Sequence, residues 1–517
     1  MKVRKWLCAG IFCATFLVAA LYVHNYTVTF AEGHKMSAFA IELTKGDQLK
    51  QIVLSVLIYV YGYIVVKSLN LGRSEWWTAT LAYPAGILCW CTLSSVVLII
   101  GIPYRLSIMF VMLILFLGLC VYKMQEERIP IECSSLFRNL LYVLGIVAIV
   151  SSGLFWAYLS NDSVYYLVKY GEILALDGGF TENVSYWLTW IGFTPACISS
   201  LARFWGMYSI YTIHHMLMVS FVVFFIVSIY ESVEIVFKKR QAIVIAAITV
   251  IALLLTPAFF LLGQWVISNT YFMIYMYIFM YVIYEIHMGK INVRGAYVFL
   301  SMILVFLTLS RAESMVTTCF LIICASTLKI EKKQMMGYLL MPSVCMQLAY
   351  WLRVYLVQGH LLEGMLSLKS IVVIVAAMVG TLVYLLLVRE WLESKIGTVL
   401  PHLMLFALLG MNVVLFVLNT TKGTRNLKYF LHNIANEYWG FFPWLVLFFY
   451  LIFWGTSAKL NYWDLNWIGF ILFNFGICLG GPGGVRQGIG DSLNRLICSI
   501  VPIIWFAIVT HIKEDLR

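Results

Sequence analysis

Stretches of about 20 mainly apolar residues recur from one end of this sequence to the other, and a chain built that way has very few folds open to it. Inside a hydrocarbon core every backbone N–H and C=O must be bonded within the protein, which leaves only helices and closed β-barrels as spanning structures. Barrel strands alternate apolar and polar residues, whereas runs such as Ile371–Val388 are continuously apolar. The reading is therefore all-α: a polytopic integral membrane protein. With 62% hydrophobic and 11% charged residues and a mean hydropathy of +0.91, no separate soluble domain fits between the runs. The runs predict spans near 6–24, 51–68, 77–100, 106–122, 139–158, 209–229, 242–262, 270–287, 296–310, 314–328, 335–352, 370–388, 401–418, 441–456, 466–480 and 496–511. That is about sixteen transmembrane helices.

The net charge of +11 does not point to nucleic acid, because Lys and Arg are scattered through many inter-span loops and form no single stripe. They instead set an orientation. With the amino terminus inside, the cytoplasmic face collects Lys2, Arg4, Lys5, Lys67, Arg73, Lys123, Arg128, Arg138, Lys238, Lys239, Arg240, Lys290, Arg294, Lys329, Lys332, Lys333, Arg389, Lys395, Lys459, Lys513 and Arg517, which are 21 of the 35 Lys and Arg. Both termini then lie in the cytoplasm, in a cell membrane. Most of the twelve cysteines fall inside apolar runs, so neither a disulfide framework nor a zinc spacing is present. Residues 1–22 have the charged and apolar regions of a signal peptide without a clear cleavage site, and read as an uncleaved anchor.

In this threading the polar clusters gather on the outer face. The longest connection is 159–208. In its first part, Val164, Leu167, Val168 and Gly171 would share one stripe of an interfacial helix, and Asp162, Tyr165, Tyr166 and Lys169 the other. Asp162 at the mouth of a bundle suits a general base, and equally suits an N-cap. The turn Ser310–Ser314 places Arg311 and Glu313 between two short spans, where they must pair or face a polar cavity. Arg353 opens the loop 353–369, and Arg425 lies in the loop 419–440. The run 480–495 is rich in glycine, which lets backbone N–H groups converge on an anion. A helix starting at Asp491 or Ser492 would add its positive end, with Arg486 and Arg495 to clamp phosphate oxygens. The alternative is a flexible turn capped by Asp491, its arginines among lipid headgroups. His214-His215 fits a headgroup-level pair better than a metal site.

The pattern Asn161-Asp162-Ser-Val-Tyr-Tyr166 just after a span, followed by interfacial segments, resembles the GT-C superfamily of membrane glycosyltransferases. Gly490-Asp-Ser-Leu-Asn-Arg495 followed by Pro502 is similar to the last-span motif of several bacterial members. The resemblance implies a membrane glycosyltransferase moving a sugar from a polyprenyl-phosphate donor to an extracytoplasmic glycan or lipid acceptor of the cell envelope. Asp162 would be the catalytic base, Arg311, Arg353, Arg425, Arg486 and Arg495 would hold the lipid phosphate, and Tyr166, Lys169, Glu313 and Asp491 would line the remaining substrate site. The family's acidic residue usually follows the first span, whereas here four spans precede the one that Asp162 follows, so 1–138 would be an amino-terminal extension and 139–517 the GT-C-like module with interfacial segment 159–208. No Asp-x-Asp pair lies outside, which leaves the cofactor unknown and use of a divalent cation open.

Two rival functions share these substrates: a transporter or flippase of lipid-linked saccharides, and a polymerase of lipid-linked repeats. A transporter calls for ionisable residues deep in the spans, and these look sparse, with Glu285 and His287 ending one span and Asp464 in a loop. The orientation itself is testable. Single cysteines at 239 and 488 in intact cells, treated with an impermeant thiol reagent, should label at 488 only; labelling at 239 alone would reverse the topology.

Overall fold

A computed structural model describes residues 45–71, 74–127, 129, 139, 168–184, 188, 192–206, 211–291, 293–311, 313–361, 366–397, 399–435, 439–440, 442–455, 460–481, 484–486 and 492–515. Among them the chain is helical, with no β-strand. Nine helices are long and apolar enough to cross a membrane: Leu49–Ser68, Glu75–Ile100, Leu106–Glu126, Ile213–Val233, Lys332–Gln358, Leu368–Lys395, Leu400–Leu418, Tyr462–Gly480 and Leu493–Lys513. Shorter apolar helices run over Val293–Thr308, Ser314–Ala325 and Phe442–Ile452. The described residues are thus all-helical, with nine helices that by length and composition could cross a membrane, fewer than the sixteen spans expected. The expected span 6–24, and 139–158 beyond Asn139, lie outside the described residues.

One expected span is broken at a proline. The run 242–262 divides into Lys239–Leu254 and Pro257–Gln264. Proline has no N–H for the i−4 carbonyl and disfavours helical backbone at the residue before it, here Thr256. Within the candidate span Leu493–Lys513 a turn at 499–500 separates Ser492–Cys498 from Val501–Asp515, with Pro502 in the first turn of the second piece. Elsewhere the ends follow local chemistry. Ser74 accepts the Trp77 N–H at the start of helix 75–100, and Gly101, at φ +86°, lets the chain leave it.

The described chain forms two compact units, one holding Phe225–Gly263 and Val388–Arg517, the other running up to Phe224 and resuming over Gln264–Leu387. In the second unit, helix Ser268–His287 is buried along almost its whole length. Its Tyr275 hydroxyl donates to the Pro84 carbonyl (2.9 Å) of helix 75–100. His214 and His215 are buried in protein, with His214 Nδ1 3.2 Å from the Tyr271 hydroxyl, and so form part of the packed interior and not an exposed headgroup-level pair. By contrast, Leu115 and Leu119 in this unit, and Phe406, Val417 and Leu418 in the other, are exposed large apolar side chains on helices apolar enough to cross a membrane.

Helices 45–68 and 75–100 meet backbone to backbone. A Cβ on Gly62 would lie 1.8 Å from the Ala82 carbonyl oxygen, and one on Gly86 would lie 2.3 Å from that of Ile58. Such small-residue contacts replace the hydrophobic drive that is missing between helices in lipid. Gly62→Val is expected to force this pair apart at a cost of about 2 kcal/mol or more, whereas Gly118→Val, with nothing within 4 Å, should leave stability unchanged. Unfolding of the purified variants in lipid–detergent mixtures measures the difference.

Candidate functional site: a basic helix clasping a glycine-rich segment

The segment expected as the loop 419–440 contains a helix, Thr420–Ile434. Asn419 starts it, its side chain accepting the Lys422 N–H (3.2 Å). Gly423 lets the first turn press on the Phe416 ring, 2.6 Å from where a Cβ would stand. The inner face is unusual in being polar, with Gly423, Asn426 and Asn433 buried. These asparagines bond to backbone of the following glycine-rich segment. Asn426 Nδ2 donates to the Cys478 carbonyl (3.3 Å), and its Oδ1 accepts the Val485 N–H (3.2 Å). Asn433 Nδ2 donates to the Arg486 carbonyl (2.7 Å), and the Lys422 ammonium donates to that of Gly481.

The outer face carries the chemistry. Thr420, Thr421, Thr424, Arg425, Lys428 and Tyr429 line an open groove. Arg425 also reaches the glycine loop, its Nη2 3.2 Å from where a Cβ on Gly484 would stand, so a larger residue at 484 would crowd the guanidinium. The groove offers two cations and three threonine hydroxyls with no carboxylate among its lining residues, a set that matches an anion with several oxygens. Arg486 presents an exposed side chain in the same unit. Arg495 is half-buried in helix Ser492–Cys498, whose Asn494 accepts the Trp439 indole N–H (2.9 Å).

The remaining expected site residues fall elsewhere. Asp162, Tyr166 and Asp491 lie outside the described residues. In the second unit, Lys169 begins helix Lys169–Asp177, with its ammonium 5.7 Å from the Tyr170 ring centre. Arg353 lies within helix Met341–Gln358 and not at the start of a loop; its Nη2 donates to the Phe180 carbonyl (3.3 Å), and its guanidinium lies against Gly101. In the loop beside Gly101, burial pushes the Tyr104 phenol well above its ordinary value, and its oxygen is shared with Ser94 and Ser200. Arg311 Nε and Glu313 Oε1 pair at 2.6 Å, as the turn between short helices requires, and Arg311 Nη1 donates to Asn269 Oδ1 (2.8 Å). The chain crosses this turn at Gly192, φ +90°, where a Cβ would fall 1.6 Å from the Ser310 carbonyl oxygen. Phe193 then donates its N–H to the Leu309 carbonyl (2.7 Å).

Asp464 requires a correction. It lies in the first turn of helix Tyr462–Gly480, not in a loop, and its side chain is wholly buried. The Tyr450 hydroxyl donates to Oδ1 (2.5 Å), the Asn461 N–H donates to Oδ2 (2.9 Å), and His511 Nε2 lies 2.8 Å from Oδ2. A carboxylate accepts only, so Nε2 carries the hydrogen. Trp467 Nε1 in turn donates to the Tyr450 oxygen (2.8 Å). One signal is readable in the sequence: Asn461-x-x-Asp464 before an apolar run is a capping box, which starts the helix ahead of Asp464. His511 is 47 positions away, and no local pattern links the two.

Asp464→Ala is expected to cost about 3–5 kcal/mol by leaving several buried donors without an acceptor, and His511→Gln, which retains a donor, should cost less. Thermal unfolding of the two purified variants checks the order. No protein-family model matches this chain, and neither a curated protein nor a solved structure matches it.

Proposed function

We propose that this chain is a membrane glycosyltransferase that moves a sugar from a polyprenyl-phosphate donor to a glycan or lipid acceptor on the extracytoplasmic side of the membrane, across about sixteen spans. The observation that carries the reading is the groove on helix 420–434. Arg425, Lys428 and three threonines stand together there, beside a glycine loop held by the inner face of the same helix. A phosphate at the end of a lipid chain needs cations at headgroup level next to an apolar surface. Exposed Leu427 and Leu431 supply that surface on the same helix.

The chemistry follows from those parts. The acceptor hydroxyl attacks the anomeric carbon and gives its proton to a general base, a role proposed for Asp162. The bond from that carbon to the phosphate oxygen breaks, and polyprenyl phosphate leaves with the extra negative charge. Arg425 and Lys428 stabilise the departing phosphate, with Arg486 and Arg495 in the same unit as further cations.

A second reading, a transporter or flippase of lipid-linked saccharides, draws support from the buried Tyr450–Asp464–His511 cluster, since ionisable groups within a helical core are what translocation employs. Reconstituted vesicles separate the two, because transfer makes a new glycosidic bond and transport only moves the donor between leaflets.

Two substitutions test the enzyme. Arg425→Lys keeps the charge but loses the planar fork, and is expected to weaken binding of a polyprenyl-phosphate sugar about tenfold with the fold intact. Asp162→Asn caps a helix as well as aspartate does, so it should melt like the wild type, bind donor normally and lose roughly a hundredfold in turnover. Normal transfer by Asp162→Asn would end the catalytic assignment, and unchanged donor binding by Arg425→Lys would end that of the groove.

A further inference from the structure

Several cations of this chain are already engaged. Arg311 is held by Glu313 and Asn269, Arg203 lies 3.4 Å from Glu172, and Lys290 lies 3.3 Å from Glu285. On helix 420–434 the Lys422 ammonium is taken by the Gly481 carbonyl. Arg425 and Lys428, on the same helix, differ. Both are exposed along the groove, and among the described residues neither pairs with a carboxylate or donates a hydrogen bond.

The groove encloses about 510 Å³, within the range of about 300–1,000 Å³ usual for small-molecule sites. Of its three threonine hydroxyls, that of Thr420 donates back to the Val417 carbonyl (3.3 Å), and those of Thr421 and Thr424 carry no hydrogen bond among the described residues. One opening is thus lined by a guanidinium fork, an ammonium and two hydroxyls, with no carboxylate among the lining residues. A phosphodiester brings to such donors two free oxygens that share a single charge. A terminal phosphate brings three free oxygens and a charge of about −1.5 to −2 at pH 7. Two cations and further donors balance the terminal group, whereas a diester would leave one cation without a counter-charge. Exposed Leu427 and Leu431 on the helix, and Leu418 just before it, offer a lipid chain an apolar surface that free phosphate would not use.

We infer that the groove on helix 420–434 selects a terminal phosphate, the monoester at the end of a lipid chain, over a phosphodiester. The inference rests on the function proposed above for its choice of lipid phosphates as ligands. In that reaction the donor is a phosphodiester and polyprenyl phosphate leaves as a monoester, so the groove holds the departing lipid more tightly than the donor. Charge gained by the phosphate as its bond to the sugar breaks is stabilised there. The released lipid phosphate then competes with fresh donor for the same groove.

The full chain in phosphatidylcholine nanodiscs, titrated at pH 8 with dodecyl phosphate, with its methyl diester and with inorganic phosphate, tests the selection by calorimetry against empty nanodiscs. Dodecyl phosphate is expected to bind about tenfold more tightly than either of the others. Lys428→Gln, a change at an exposed position, should bring the ratio between the two esters down to about two, chiefly by weakening the monoester. Equal affinity for the two esters overturns the selection while leaving the groove as a lipid-phosphate site. An unchanged ratio in Lys428→Gln overturns its assignment to this groove, and inorganic phosphate bound as tightly as dodecyl phosphate overturns the lipid as its source. Absence of binding by all three removes the groove itself, and with it the reading on which the inference rests.

Discussion

A polar group removed from water must find its partner inside the protein, and in a chain solvated by lipid this requirement governs nearly every feature above. The helices answer it for the backbone. Serine and threonine answer it one turn back, as when Ser95 donates to the Cys91 carbonyl and Thr249 to that of Ile245. Side chains that cannot be satisfied locally draw helices together. Asn412 donates both to Leu408 in its own helix and to Leu472 in helix 462–480, and Asp464 gathers Tyr450, Asn461 and His511 around one carboxylate.

Close approach is the second condition, and glycine supplies it. At Gly62 and Gly86 two helices touch through their backbones, and at Gly192 an entering segment lies directly on the Ser310 carbonyl. The turn that holds Arg311 and Glu313 is therefore fixed from one side by backbone contact and from another by Asn269. Its geometry depends on contacts to residues far away in the chain.

How much of this the sequence discloses follows from the same physics. Apolar runs are long and unambiguous, so the helices over 51–68, 77–100, 106–122 and 401–418 stand where those runs predict them, to within a few residues. The pairing of Arg311 with Glu313 follows from two charges in a turn between short helices. Helix 420–434 does not announce itself, because the stripe it buries is Gly423, Asn426 and Asn433, and no apolar period marks it. The Asp464–His511 contact is hidden for a different reason. A carboxylate that follows Lys459 and Asn461 within a few residues looks like part of a polar loop until its partner, on another helix, is brought beside it.

Helix 420–434 is attached to its neighbours mainly through amide side chains and an ammonium that bond to carbonyls and one N–H of the segment 478–486. Apolar surfaces slide over one another at little cost, but a hydrogen bond weakens steeply once its angle and distance are lost. Small displacements of this helix are therefore resisted, and a slip of one helical turn would not restore the bonds, because Tyr429 and Phe430 stand one turn from the two asparagines and carry no amide. The helix behaves as a detent and not as a spring: the groove keeps one position until all of its clasps release together.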